Sequence, residues 1–83
     1  MSPEQCRAAR AWLDWTQLEL ARRAGVGLST VRDFEKGERT PIPNNLAAIR
    51  RVIEEAGIKL VFRDDGGAAG IEAIPANHPN SGV

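Results

Sequence analysis

The sequence predicts a compact all-α domain of four helices, followed by a short C-terminal β-strand or hairpin. Four amphipathic stretches lie between residues 3 and 56; DWT (14–16) separates the first two, and segments that contain glycine or proline separate the others. At residues 58–62, IKLVF, the pattern changes to alternation, with Ile58, Leu60 and Phe62 on one side as in a strand. The chain has 83 residues, 42% hydrophobic and 27% charged, which is enough for one small core.

A capping signature marks the first helix. Ser2 suits the N-cap position, Pro3 suits the first helical position, and Gln5 completes an S-x-x-Q capping box. These residues predict a helix that begins at Pro3 and runs to about Leu13. Cys6 falls on its inward side and is expected to be a small core residue. Because it is the single cysteine, an internal disulfide is excluded.

Two shorter helices follow. Thr16 is the predicted N-cap of the second helix, and Gly25 is predicted to end it in the left-handed conformation. The third helix is predicted to start near Leu28 and to end at Gly37. Two short helices joined by about four residues that include glycine form a helix-turn-helix motif. Helices this short need neighbours to be stable in water.

The fourth helix follows a stiff loop. Two prolines lie in residues 38–43, ERTPIP, and disfavour helix in the residues that precede them. Asn44 or Asn45 is predicted to cap the fourth helix, which runs to about Ala56 and stops at Gly57.

The rest of the chain is predicted to be extended or irregular. Residues 58–62 are the first strand, and residues 71–74 are predicted to pair back on it as a hairpin. The predicted organisation is therefore a helix-turn-helix domain over residues 1–57, a β extension over residues 58–74 and a disordered tail over residues 75–83.

The third helix is predicted to have an apolar back and a polar front. At 100° per residue, Val31 and Phe34 point the same way. The opposite side carries hydrogen-bonding and charged groups: Ser29, Arg32, Asp33 and Lys36. A short helix that is anchored from behind and polar in front has the shape of a major-groove reader.

The net charge of zero conceals an asymmetry. Residues 1–63 carry all 11 Lys and Arg against eight acids, whereas residues 64–83 carry three acids and no Lys or Arg. The mildly basic main part is weak support for an anionic partner.

Residues 6–57 resemble the lambda-repressor-like, Cro-type (XRE-type) helix-turn-helix domain of bacterial and phage transcriptional regulators. The resemblance rests on Arg10, on WTQLELARRAGV (15–26), on STVRDFEKG (29–37) and on the Thr-Pro that follows. It implies a DNA-binding regulator, and a repressor in particular, in the bacterial cytoplasm. Gly27 stands where the family usually has Ser or Thr, and the strand at residues 58–62 stands where many relatives have a fifth helix.

The resemblance also assigns roles to side chains. It implies a structural salt bridge between Arg10 and Glu35, which ties the first helix to the third. The residues implied to face base edges are Leu28, Ser29, Arg32 and Asp33. The residues implied to hold backbone phosphates are Thr16, Gln17, Thr30, Lys36, Arg39, Thr40 and Asn44.

The size of the domain predicts a homodimer on a palindromic operator. One module of this size buries only about 600–1,000 Å² on DNA, which is little for tight binding. The unpaired edge of the strand suggests the contact between subunits. The predicted dimerisation residues are Ile58, Leu60, Phe62 and Ile71.

Two other functions remain open at this level. One is an antitoxin that autoregulates its operon and binds a toxin through its C-terminal extension. The other is a protein-interaction adaptor that does not bind DNA. An enzyme is not expected, because the chain has one His, one Cys and no glycine-rich phosphate loop. No metal or other cofactor, membrane span or secretory signal is predicted.

Overall fold

The computed structural model describes residues 1–74, which form four helices and two strands in the predicted order. The predicted tail, residues 75–83, lies outside the described residues. The elements are α1 (Pro3–Leu13), α2 (Gln17–Ala24), α3 (Leu28–Glu35), α4 (Pro43–Glu55), β1 (Ile58–Phe62) and β2 (Ala68–Ala73). The predicted class, four helices with a C-terminal hairpin, is confirmed.

Local chemistry defines the ends of the first helices. The Ser2 hydroxyl accepts the backbone N–H of Gln5 at 3.0 Å, and the Gln5 carbonyl oxygen accepts the N–H of Ser2 at 2.9 Å, so the predicted capping box forms. Thr16 caps α2 by accepting the N–H of Glu19 at 3.0 Å. Helix α2 ends at Gly25, whose φ of 69° is the left-handed conformation that glycine adopts without strain.

The prediction that Asn44 or Asn45 caps α4 is wrong. The N-cap is Ile42, which makes no side-chain cap hydrogen bond, and Pro43 is the first helical residue. The ring of Pro43 pre-sets a helical φ and removes an N–H that would have had no partner there. It also holds Ile42 extended, and therefore the helix starts before either asparagine.

The two strands form an antiparallel hairpin. Its register pairs Ile58 with Ala73 and Leu60 with Ile71, and an irregularity lies between Val61 and Phe62. The second strand begins at Ala68, three residues earlier than predicted.

The hairpin completes the hydrophobic core. Strand β1 packs on α4, and β2 packs on α1. The side chains of Ile58 and Leu60 are only 1% and 5% exposed, within the same cluster as the buried residues of the helices. The buried apolar residues are Cys6, Ala9, Leu20, Ala21, Val31, Phe34, Ile49, Ile53, Ile58 and Leu60.

This packing limits which side chains can take part in the predicted dimer contact. Ile58 and Leu60 were predicted to face a second subunit, but they lie in the core of their own subunit. The reason is that the apolar side of β1 packs on α4 and joins the buried cluster of the helices. Of the four predicted residues, Phe62 is 39% exposed and Ile71 is partly buried against the core.

A buried glutamine joins the hairpin to the first helix. The side chain of Gln5 is 2% exposed, and its amide donates to the carbonyl oxygens of Val61 at 2.9 Å and Gly70 at 3.0 Å. One side chain thus caps α1 and satisfies a carbonyl in each strand.

Across residues 1–74, no helix is long and apolar enough to cross a membrane.

Candidate nucleic-acid interface

The third helix is held from behind and exposed in front, as its sequence predicts. Val31 and Phe34 are buried in the core, together with the charged Glu35. Of the polar residues predicted on the opposite side, Ser29, Arg32 and Lys36 are exposed and Asp33 is half-buried. Together they form a polar ridge along α3.

A buried carboxylate fixes the position of this helix. Glu35 is only 3% exposed, and its two oxygens accept from Arg10 through Nη2 and Nε, both at 2.9 Å. The amide of Gln17 donates to one of these oxygens at 2.9 Å, and the thiol of Cys6 donates to the other at 3.2 Å. Because the donors belong to α1 and α2, the carboxylate ties three helices together. The predicted pair of Arg10 and Glu35 is present in the structure.

The hydrogen bonds around Glu35 require an ionised carboxylate and a protonated Cys6 thiol. Burial acts to raise the pKa of Glu35, but hydrogen bonds from Arg10, Gln17 and Cys6 outweigh it and hold this pKa below its ordinary value. Burial, helped by the neighbouring carboxylate of Glu35, raises the pKa of the Cys6 thiol. Glu35 is therefore ionised and Cys6 neutral near pH 7.

A second arginine of α1 contacts the end of α3. Arg7 donates through its guanidinium to the backbone carbonyl oxygen of Glu35. A cation at the C-terminus of a helix satisfies an unpaired carbonyl and interacts favourably with the helix dipole. Arg7 was not among the residues predicted from the sequence. Its spacing, one helical turn before Arg10, is the signal that would have identified it.

The predicted base-contacting residues lie together along α3. Leu28 and Ser29 in the first turn are exposed, as is Arg32 one turn later, whereas Asp33 is half-buried. Ser29 and Asp33 line one wall of a shallow depression of about 230 Å³. Its other wall is formed by the segment after α3 and the start of α4, which contribute Arg39, Thr40, Pro41, Ile42 and Asn45.

The predicted phosphate-contacting residues lie at the start of α2, on α3, in the segment after α3 and at the start of α4. The hydroxyl of Thr16 and the amide of Gln17 already have partners within the protein, in the α2 cap and on Glu35. Thr30 is half-buried in α3 and also lines the depression. The remaining four are exposed at or beyond the end of α3: Lys36, Arg39, Thr40 and Asn44.

The ridge lacks the features of a metal site. Among residues 1–74, no three His, Cys, Asp or Glu side chains are placed to hold a metal ion.

Comparison with known proteins identifies the class of this domain. The sequence model of the helix-turn-helix family matches residues 7–56, which is 50 of the 83 residues, and no curated protein matches the chain. The chain belongs to this family, the XRE or lambda-repressor-like helix-turn-helix domains. It is thus a DNA-binding domain of the transcriptional-regulator type.

Proposed function

We propose that this protein binds double-stranded DNA sequence-specifically and acts as a transcriptional repressor. In this proposal, α3 lies in the major groove and a dimer occupies a palindromic operator. The observation that supports it best is the free polar ridge of α3, with Val31, Phe34 and Glu35 buried behind it. A helix whose back is fixed in the core can present its front to base edges at low cost in conformational entropy.

Side-chain chemistry suggests how the ridge reads DNA. Arg32 suits a bidentate contact with guanine, Ser29 can donate or accept, and exposed Leu28 suits a thymine methyl group. Lys36, Arg39 and Thr40 suit phosphate oxygens. Because the amide of Gln17 is held by Glu35, we assign its phosphate contact to the backbone N–H at the start of α2.

The dimer is proposed to form through the hairpin. The side chains of Ile58 and Leu60 are buried in the core, so the proposed contact uses the outer strand edges and the exposed ring of Phe62. The guanidinium of Arg50 lies 5.6 Å from the centre of this ring and supports it from one side. Pairing of strand edges would supply backbone hydrogen bonds, and Phe62 would supply apolar area.

Two substitutions on the ridge are expected to weaken DNA binding in different ways. Arg32→Ala should lower affinity for the best operator by about 1–3 kcal/mol and relax the preference at one base pair. Lys36→Ala should weaken all sequences alike and reduce the slope of log affinity against log salt by about 1. Fluorescence anisotropy over a salt series measures both effects, with the operator taken from selection among random duplexes.

Arg51→Ala is the charge-matched control, because Arg51 is exposed on α4 and its replacement removes the same positive charge. It should affect specific binding much less than Arg32→Ala does. A wild-type protein that binds no duplex at low salt would refute the proposed function and favour a protein-interaction adaptor.

The dimer is tested by replacing Phe62. Phe62→Glu is expected to raise the dimer dissociation constant at least tenfold, because a charge would be placed in an apolar contact. Sedimentation velocity over a concentration series measures this constant. Trp12→Glu is the control, since Trp12 is a 66% exposed aromatic residue on α1. Loss of the dimer in the Trp12 variant alone would place the contact on the helices instead.

A further inference from the structure

Asp33 is an acidic residue on a surface that we propose to face DNA. It is half-buried on α3, directly after the exposed Arg32 and one turn after Ser29. A carboxylate brought close to phosphates is repelled, and it loses water as the surfaces meet. Its presence therefore calls for a compensating role, in the fold or in the complex.

The structure shows no role for this carboxylate in the fold. None of the ion pairs among residues 1–74 involves Asp33. The turn after α3 is held by the backbone carbonyl of Asp33, which accepts the N–H groups of Glu38 at 2.9 Å and Arg39 at 3.3 Å. The residue also lies in the last turn of α3, which ends at Glu35, where the helix dipole disfavours a negative charge.

The surroundings of Asp33 point to a ligand that donates hydrogen bonds. Asp33 lines the depression beside Ser29, and across it lie Arg39, Thr40 and Asn45. An ionised carboxylate only accepts hydrogen bonds, so a group that docks beside it must present N–H or O–H donors.

We infer that Asp33 reads a C·G base pair by accepting a hydrogen bond from the N4 amino group of cytosine. This inference deepens the proposed function and rests on it. In the major groove, only cytosine N4 and adenine N6 offer amino donors. Adenine places the N7 acceptor beside its amino group, which would repel the second carboxylate oxygen. Guanine and thymine present acceptors at the groove edge and are rejected.

The test is selection of bound sites from random duplexes by the full-length protein and by two variants. The wild type should require cytosine at one position, with mismatched bases bound about 5- to 150-fold more weakly. Asp33→Asn should change that position to adenine, because an amide pairs with both N6 and N7. Asp33→Ala should abolish the preference there and leave the other positions unchanged.

Glu55→Gln is the matched control, since Glu55 is also an acid in the last turn of a helix, here at an exposed position at the end of α4. It makes the same change in net charge and should leave the selected sequence unaltered. Thermal unfolding supplies the second readout: Asp33→Ala and Asp33→Asn should melt at the wild-type temperature or above it, because the carboxylate opposes the helix dipole.

The outcomes separate this inference from the proposed function. Binding without a required cytosine, or an unchanged sequence in Asp33→Asn, would overturn the inference and leave the proposed function standing. A lower melting temperature in both variants would also overturn it, by assigning Asp33 a structural role. Failure of the wild type to bind any duplex would overturn both.

Discussion

Replacing Arg10 with methionine is expected to lower the free energy of unfolding by about 3–5 kcal/mol. The substitution keeps most of the apolar stem but removes both hydrogen bonds to the carboxylate of Glu35, which is 3% exposed. A buried charge without its partner costs far more than the pair contributes when intact. Because a small domain has only about 5–15 kcal/mol of stability in total, the variant should be close to unfolding at 37 °C.

Urea denaturation followed by circular dichroism measures this loss. Arg51→Met is the control, because Arg51 is exposed and should change stability by less than about 0.5 kcal/mol. The double variant Arg10→Met, Glu35→Met should recover much of the loss, since neither charge then remains buried. A loss below about 1 kcal/mol in the single variant would show that water reaches Glu35.

The same carboxylate gives stability a defined pH dependence. The pKa of Glu35 is lowered from its ordinary value of 4.5 in the folded state, so protons bind the unfolded chain more readily. Its contribution is fully present above about pH 5 and is lost as the pH falls through 4.5 towards the lowered pKa. Glu35→Gln should therefore flatten the stability curve in this acid range.

A chain that ends at Gly57 is expected not to fold. Truncation there removes Ile58 and Leu60 from the core, and each loss costs about 2–5 kcal/mol. It also removes the hydrogen bonds from the amide of Gln5 to the carbonyls of Val61 and Gly70, each worth about 0.5–1.5 kcal/mol. Together these losses are comparable to the whole stability of a small domain. Circular dichroism and heteronuclear NMR spectra of the truncated chain measure the effect.

The control is a chain that ends at Ile74, which retains both strands and should fold. Gln5→Leu offers a milder test, with an expected loss of about 1–3 kcal/mol because two buried carbonyls lose their donor. Glu4→Gln, at an exposed neighbouring position, should lose at most about 1 kcal/mol. If the chain ending at Gly57 folds and becomes a monomer, the hairpin is a separate dimerisation arm, as the sequence alone suggested.

The sequence predicted most of the helical part because its signals are local. The Ser2 capping box, the Thr16 cap and the left-handed Gly25 each depend on residues within one turn of the chain. The orientation of α3 followed from its periodicity, which places Val31 and Phe34 on one side. The pair of Arg10 and Glu35 was predicted too, although only because the motif resembles a known family.

Features that depend on distant contacts were not predicted. The donor and acceptors of the Gln5 bridge lie 56 and 65 residues apart in the chain, beyond any local pattern. One local feature was also mispredicted: α4 starts at Pro43, whose ring fixes a helical φ, and not after an asparagine cap. The alternation of IKLVF showed that Ile58 and Leu60 share one side, but not whether that side faces the core or a second subunit.

The sequence by itself determined the order of the elements, the ends of three helices and the polar front of α3, because hydrogen bonding within a turn and side-chain periodicity govern these properties. Only the tertiary structure decided that the hairpin belongs to the core, that Gln5 joins it to α1, and that Arg7, Arg10 and Gln17 converge on Glu35. These features depend on which apolar surfaces close over one another. The arrangement that buries the most apolar surface depends on the whole chain, so it cannot be predicted from one segment at a time.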